Sequence, residues 1–312
     1  SSVHDTDIEP YDDAASAESL IDSALPGSEL MAATDLRDFD AVEWTLENGA
    51  RVIYRKADYE KDNVSLSAFS FGGTSLIDDE FIPEASLLST LALTYGAGDF
   101  DNIELQKMLS GKKVSLSVSL AEVTENINGT ATPADFETMM QLLYLRFEEP
   151  RFDREAHDAI TTRFKAMLET MNNSPQKIMQ DSLTLIMSDY HPRARTLNKE
   201  YIEDIEFDMV KELYLERFRD ADDYTFFIVG NIEEERAKEM AIKYIGSLTS
   251  HEGSEKWIDR GVRPPSGITR KIIEMPMAVP KATVVVSYTG KTDYTPYNRQ
   301  AARVISGILD II

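Results

Sequence analysis

Apolar and polar positions alternate most cleanly at Val114, Leu116, Val118 and Leu120, interleaved with Ser115, Ser117 and Ser119. That period of two predicts a strand with one buried face. Similar alternation predicts strands over Val42–Leu46, Arg51–Tyr54, Val64–Phe71, Glu125–Thr132 and Tyr224–Val229. Asn48-Gly49, between the first two of these, is a strong two-residue hairpin signal. The spacing shifts to a helical one elsewhere. Phe136, Met139, Met140, Leu143 and Phe147 recur at helical intervals after Pro133, and further helices are predicted over Asp153–Met171, Pro175–Met187, Asp208–Phe218 and Glu233–Ile245. Asp101 or Asn102 can cap a helix that ends at Ser110-Gly111. Methionines 167, 171, 179 and 187 lie on such helical stripes and read as core filler.

The stretch FSFGGTSLIDDEFIPEASLLSTLAL, Phe69 to Leu93, joins both patterns. A strand ends at a Gly72-Gly73 break, an acidic loop follows, and a helix opens near Pro83, where a missing N–H costs nothing. On that helix Ser86, Ser89 and Thr90 fall at i, i+3 and i+4 and share a face, beside an apolar stripe of Leu87, Leu88 and Leu91.

Composition shifts divide the chain. Residues 1–37 are acidic and rich in Ala, Ser and Asp, and read as a linker or leader, either with a short helix over Ala15–Leu25 or disordered. Residues 38–248 form one α/β unit. Residues 249–270 turn to Gly, Ser, Pro and charge, which reads as a linker. Residues 271–312 offer strands at Lys271–Glu274 and Thr283–Tyr288 and a helix from Pro296, repeating the opening of the first unit as a second copy cut short. A chain that starts with Ser and stops within the apolar run at Ile311-Ile312 reads as a fragment.

Charge and rare residues then narrow the chemistry. With 32 basic and 55 acidic residues the net charge is −23, which argues against binding nucleic acid or anionic lipid through phosphate neutralisation. No apolar run approaches the roughly 18 residues of a membrane span. The chain has no cysteine, so thiol catalysis and Cys-based metal sites are excluded. His4, His157, His191 and His251 are never at ligand spacing, and no H-x-x-E-H, H-x-H or G-x-S-x-G occurs. Tyr190–Arg195 is the most basic local cluster, and its Arg193 and Arg195 are candidate contacts for substrate carboxylates or for another part of the protein. The other reading pairs these arginines with nearby acids.

Several stretches, taken in order, resemble the pitrilysin/insulinase-type (inverzincin) zinc peptidases. Leu46–Ile53 resembles the family's L-x-N-G hairpin, Phe71–Thr74 its Gly-Gly strand end, and Arg217–Ile232 its domain-closing strand with V-G-N-I. The resemblance covers about 40–248, and the tail from Lys271 fits the start of the next family domain. It implies an α/β (α+β) fold of the LuxS/MPP-like metalloprotease type, an antiparallel sheet with helices packed on one side. In active members the helix after the Gly-Gly break carries H-x-x-E-H, two zinc ligands and a general base. Here Ser86, Ser89 and Thr90 stand at those positions, and the later Glu ligand aligns near Met167, with Glu169 close by. Hydroxyls are poor zinc ligands and no base near neutral pH. This is the pattern of the family's non-catalytic C-terminal half, as in bacterial zinc-protease-like members.

The resemblance therefore implies no metal and no catalytic residue in this chain, with zinc in the parent enzyme. The implied partners are the N-terminal half of the same polypeptide and a peptide substrate, in the periplasm or cell envelope, or else the cytoplasm. The family's Arg and Tyr substrate contacts are expected beyond Ile312. An alternative stays open: a peptidase-derived scaffold or protein-binding subunit with no enzyme in the parent.

Overall fold

The computed structural model describes residues 19–171, 174–251, 253–276, 279 and 281–309. Contacts divide the chain into two units, 1–174 with 195–261, and 175–194 with 262–312.

The first unit is built on a seven-stranded sheet. Its strands are β1 (Leu30–Leu36), β2 (Ala41–Leu46), β3 (Arg51–Lys56), β4 (Val64–Phe71), β5 (Val114–Leu120), β6 (Thr124–Ala131) and β7 (Thr225–Gly230), in the order β1-β2-β3-β7-β4-β6-β5. Every neighbouring pair is antiparallel except β3–β7, which is parallel, so the sheet is mixed. The chain order explains the exception. β7 arrives after the helices and inserts between β3 and β4, where antiparallel pairing to β4 leaves it parallel to β3. A parallel pair needs a long crossover, and the helices supply it.

Alternation along the strands aims one face at the core. Val64, Leu66 and Ala68 of β4 and Phe226 and Ile228 of β7 are buried, while Ser65, Ser67 and Phe227 between them are half-buried on the opposite face. The buried face packs against helices α1 (Ile82–Thr94), α3 (Phe136–Glu148), α7 (Phe207–Phe218) and α8 (Glu234–Met240), all of which contribute to one cluster. Helix α2 (Asn102–Met108) is fixed by a capping box in which Asp101 Oδ1 accepts from Glu104 N at 2.8 Å and Glu104 Oε2 accepts from Asp101 N at 2.8 Å. Helix α4 (Arg154–Met171) and the short α6 (Lys199–Glu203) complete the unit and pack beside α1.

Several expectations drawn from the sequence change, including the single unit 38–248, from which residues 175–194 separate into the second unit. Residues 19–36 are part of the folded unit, not a leader. Leu20 is buried, with its N–H on Gln141 Oε1 (3.2 Å), and Gly27 N donates to Ser247 Oγ (2.8 Å). No helix forms over 19–25, and residues 15–18 lie outside the described ones. β1 escaped the pattern because almost all its side chains are exposed, so an edge strand held by backbone pairing to β2 shows no alternation. In the linker, residues 253–261 belong to the first unit.

The second unit contains α5 (Pro175–Met187) and α9 (Pro296–Leu309). The strands expected at Lys271–Glu274 and Thr283–Tyr288 are absent; the residues take no regular secondary structure, with Val284, Val286 and Tyr288 exposed. An alternating sequence becomes a strand only when a neighbour takes its N–H and C=O groups, and among the described residues none pairs with these. No helix among the described residues is long and apolar enough to cross a membrane.

Candidate functional site

Helix α1 is positioned by what precedes and follows it. β4 ends in the Gly72-Gly73 break, a tight turn runs over Gly73–Leu76, and Pro83 sits in the first helical turn. At the far end Arg146 of α3, half-buried, points Nη1 at the carbonyls of Ala92 (2.9 Å), Tyr95 (3.1 Å) and Gly96 (2.9 Å). A guanidinium there satisfies terminal acceptors and complements the helix dipole. Burial lowers its affinity for the proton, although arginine stays charged. Leu87 and Leu91 bury against Leu168 of α4 and against Tyr201 and Ile202 of α6, which fixes the helix rotation.

That rotation decides what the three hydroxyls meet. Ser86 Oγ donates to Pro83 O (2.8 Å) and accepts from Tyr201 Oη (2.7 Å), which also lies 3.2 Å from Ile82 O. Ser89 Oγ accepts the N–H of Leu120, at the end of β5, at 2.9 Å. Thr90 is exposed. Two of the three positions thus carry ordinary structural hydrogen bonds, one to an aromatic hydroxyl and one to a strand end. On α4, Met167 is exposed and Glu169 reaches Lys199 at 3.8 Å. This donor set does not fit zinc: two hydroxyls are engaged, the third is a weak ligand, and Glu169 already faces an ammonium group. Among the described residues no group of three or more His, Cys, Asp or Glu could hold a metal ion.

The histidines are not gathered. His157 is a core side chain of the first unit, with Nδ1 3.1 Å from Tyr95 Oη and its ring edge-on to Phe207 at 5.3 Å. Burial pushes its pKa down, so the neutral ring is favoured, and the same burial pushes the Tyr95 hydroxyl up. His191 accepts Arg193 N at 3.2 Å within the second unit, His251 is exposed, and His4 lies outside the described residues. The basic cluster is divided between the units, with Arg193 in the second and Arg195 in the first. Arg195 pairs with Asp204 (3.0 Å) and lies 4.8 Å from the centre of the Tyr201 ring.

Two buried acids escaped the sequence, Glu84 and Glu125. Glu84, in the first turn of α1, is 3% exposed; its Oε1 accepts Glu206 N at 3.2 Å at the start of α7, and its Oε2 is buried without a protein partner. Burial raises its pKa, partly opposed by backbone N–H donors. Nothing in the periodicity distinguishes it from the solvent-facing acids of the preceding loop.

Comparisons with known proteins show what the chain is similar to. Residues 204–310 match the family profile described as the peptidase M16 inactive domain. The chain is similar to the M16 peptidases. It is 20% identical over 274 residues to the probable zinc protease PqqL of Haemophilus influenzae, a match covering 86% of this chain and 29% of that protein. Among solved structures the periplasmic protease PqqL from Escherichia coli aligns with a TM-score of 0.67 at 20% identity, over 80% of this chain and 27% of that one. A peptidase M16 inactive domain from Pseudomonas fluorescens aligns with a TM-score of 0.56 at 17% identity, over 70% of this chain and 54% of that one. The M16-type fold expected from the sequence is thereby confirmed, with one parallel strand pair added. The chain spans under a third of the named zinc proteases it matches.

Proposed function

We propose that this chain is a non-catalytic portion of a larger zinc peptidase, whose metal and general base lie elsewhere in the same polypeptide. Its task is to help enclose and bind peptide substrate. The observation that carries this reading is α1. The strand, Gly-Gly turn and helix are retained, yet Ser86 and Ser89 are committed to Tyr201 and Leu120 rather than left open for a ligand. A wall that holds an extended peptide lowers the entropy lost when its scissile bond is presented to a catalytic centre. Similarity to a probable zinc protease and to a periplasmic protease supports zinc in the parent and an envelope location.

The test supplies the rest of the parent polypeptide in trans and follows cleavage of a quenched fluorescent peptide. Hydrolysis is expected only from the mixture, with a lower KM as this chain is added. Hydrolysis by this chain alone, or a KM indifferent to it, overturns the reading; a parent without H-x-x-E-H returns the choice to a protein-binding scaffold.

A further inference from the structure

Residues 255–260 lie in the stretch that reads as linker by composition, yet polar contacts stitch them to the first unit. Arg217 of α7 is almost fully buried, its side chain 3% exposed. Its guanidinium takes Glu255 in a two-point grip, Nη1 to Oε2 at 2.6 Å and Nη2 to Oε1 at 3.0 Å. Nη1 also lies 3.5 Å from Glu125 Oε1 on β6, which in turn accepts the N–H of Gly73 at 2.8 Å. Three residues further on, Ile258 N donates to Ser75 Oγ (2.9 Å), and Arg260 donates to the carbonyls of Ser75 (Nε, 2.5 Å) and Ile77 (Nη2, 3.2 Å). Glu255 N is held by Asp223 Oδ1 at 3.2 Å.

These contacts converge on the turn that begins at Gly73 and leads into α1. We infer that residues 255–260 form a releasable clasp, closed by the Arg217–Glu255 pair, which fastens the turn at 73–77 and so fixes the entry of α1. The charges favour closure. Arg217 is a buried cation met by three carboxylates, Glu255 in a two-point grip, Glu216 at 3.0 Å from the solvent side and Glu125 from within, where it is shared with Gly73; losing Glu255 would remove the two-point partner and leave one exposed and one shared carboxylate. The clasp can still open from its outer end, because the Glu255 side chain is 42% exposed while that of Arg217 is not. Only the strap has to move, and the core stays packed. Fork-to-carboxylate geometry makes the closed state specific, and a lysine at 217 could not reproduce it.

Limited trypsin digestion of the full chain tests this, because Lys256 lies inside the clasp. Cleavage after Lys256 is followed by mass spectrometry and normalised to a free peptide of residues 250–265 carrying the same substitution. The expected result is that the native chain is cut at least about tenfold more slowly than its peptide. Glu255→Ala and Arg217→Met should each remove about tenfold or more of that protection. Arg217→Met leaves a buried carboxylate unpaired and can disrupt folding, so Glu255→Ala and Arg260→Ala, both altered at the strap, carry the decision, with far-UV circular dichroism confirming the fold. Native cleavage at the peptide's rate, or unchanged protection in folded Glu255→Ala and Arg260→Ala chains, would overturn the clasp.

Discussion

Replacing Gly73 by alanine tests the packing that sets the course of the chain into α1. Gly73 has φ of +60°, a left-handed conformation that costs a residue with a Cβ about 1–2 kcal/mol. An added Cβ would lie 2.4 Å from Ala121 O, 2.5 Å from Thr124 N and 2.7 Å from Glu122 C. All three are backbone atoms of the β5–β6 connection and the start of β6, so no side chain can swing aside. Overpacking of this kind adds about 1–3 kcal/mol. The sum is about 3 kcal/mol, which for a domain of 150–250 residues lowers Tm by about 6–12 °C. Gly111→Ala is the control, since it has φ of +83° and nothing within 4 Å of the added atom. It carries the conformational cost alone, about 1 kcal/mol and about 2–4 °C. Differential scanning calorimetry of the two variants and the native chain separates the terms. Equal losses of Tm would refute the claim that close backbone approach is what requires glycine at 73.

Other variants address other parts of the unit. Arg146→Met should cost about 2–3 kcal/mol, because three carbonyls at the end of α1 lose a charged donor while the cost of burying the cation is relieved; urea unfolding gives the loss, and hydrogen exchange should rise at the last turn of α1. His157 supplies a pH test. Burial lowers its folded pKa, so the unfolded chain takes up a proton near about pH 6.5 that the folded one resists; its contribution is complete above that value and is lost as pH falls through it. The urea midpoint of His157→Gln should therefore fall less between pH 7.5 and 5.5 than that of the native chain, and parallel curves would contradict the assignment. Tyr201→Phe removes the hydroxyl from Ser86 and Ile82 and should cost about 1 kcal/mol without creating a metal site, checked by unfolding and by zinc titration.

What the sequence reveals and conceals here follows from burial. β4 and β7 were legible because each puts alternate residues into the core, and β5 because serines separate its apolar positions. β1 was hidden because its stability comes from main-chain pairing that leaves no hydrophobic signature. The tail showed the converse, with alternation at 283–288 and no strand, since pattern without a neighbouring ladder does not suffice. At α1, the loss of zinc-ligand side chains was readable directly from Ser86, Ser89 and Thr90. Their reuse was not, because the bonds to Tyr201 and Leu120 join residues 115 and 31 positions apart. Glu84 and Arg217 were concealed for the same reason: charged residues read as surface until the fold places them inside.

The central claim is that α1 keeps the shape of a metallopeptidase helix without its metal chemistry. Zinc content per chain, by elemental analysis of protein purified without added metal, tests it most directly. The expected value is near zero and unchanged by chelator. One zinc per chain, removable by chelator, would contradict the account and call for a site that includes His157 or His191.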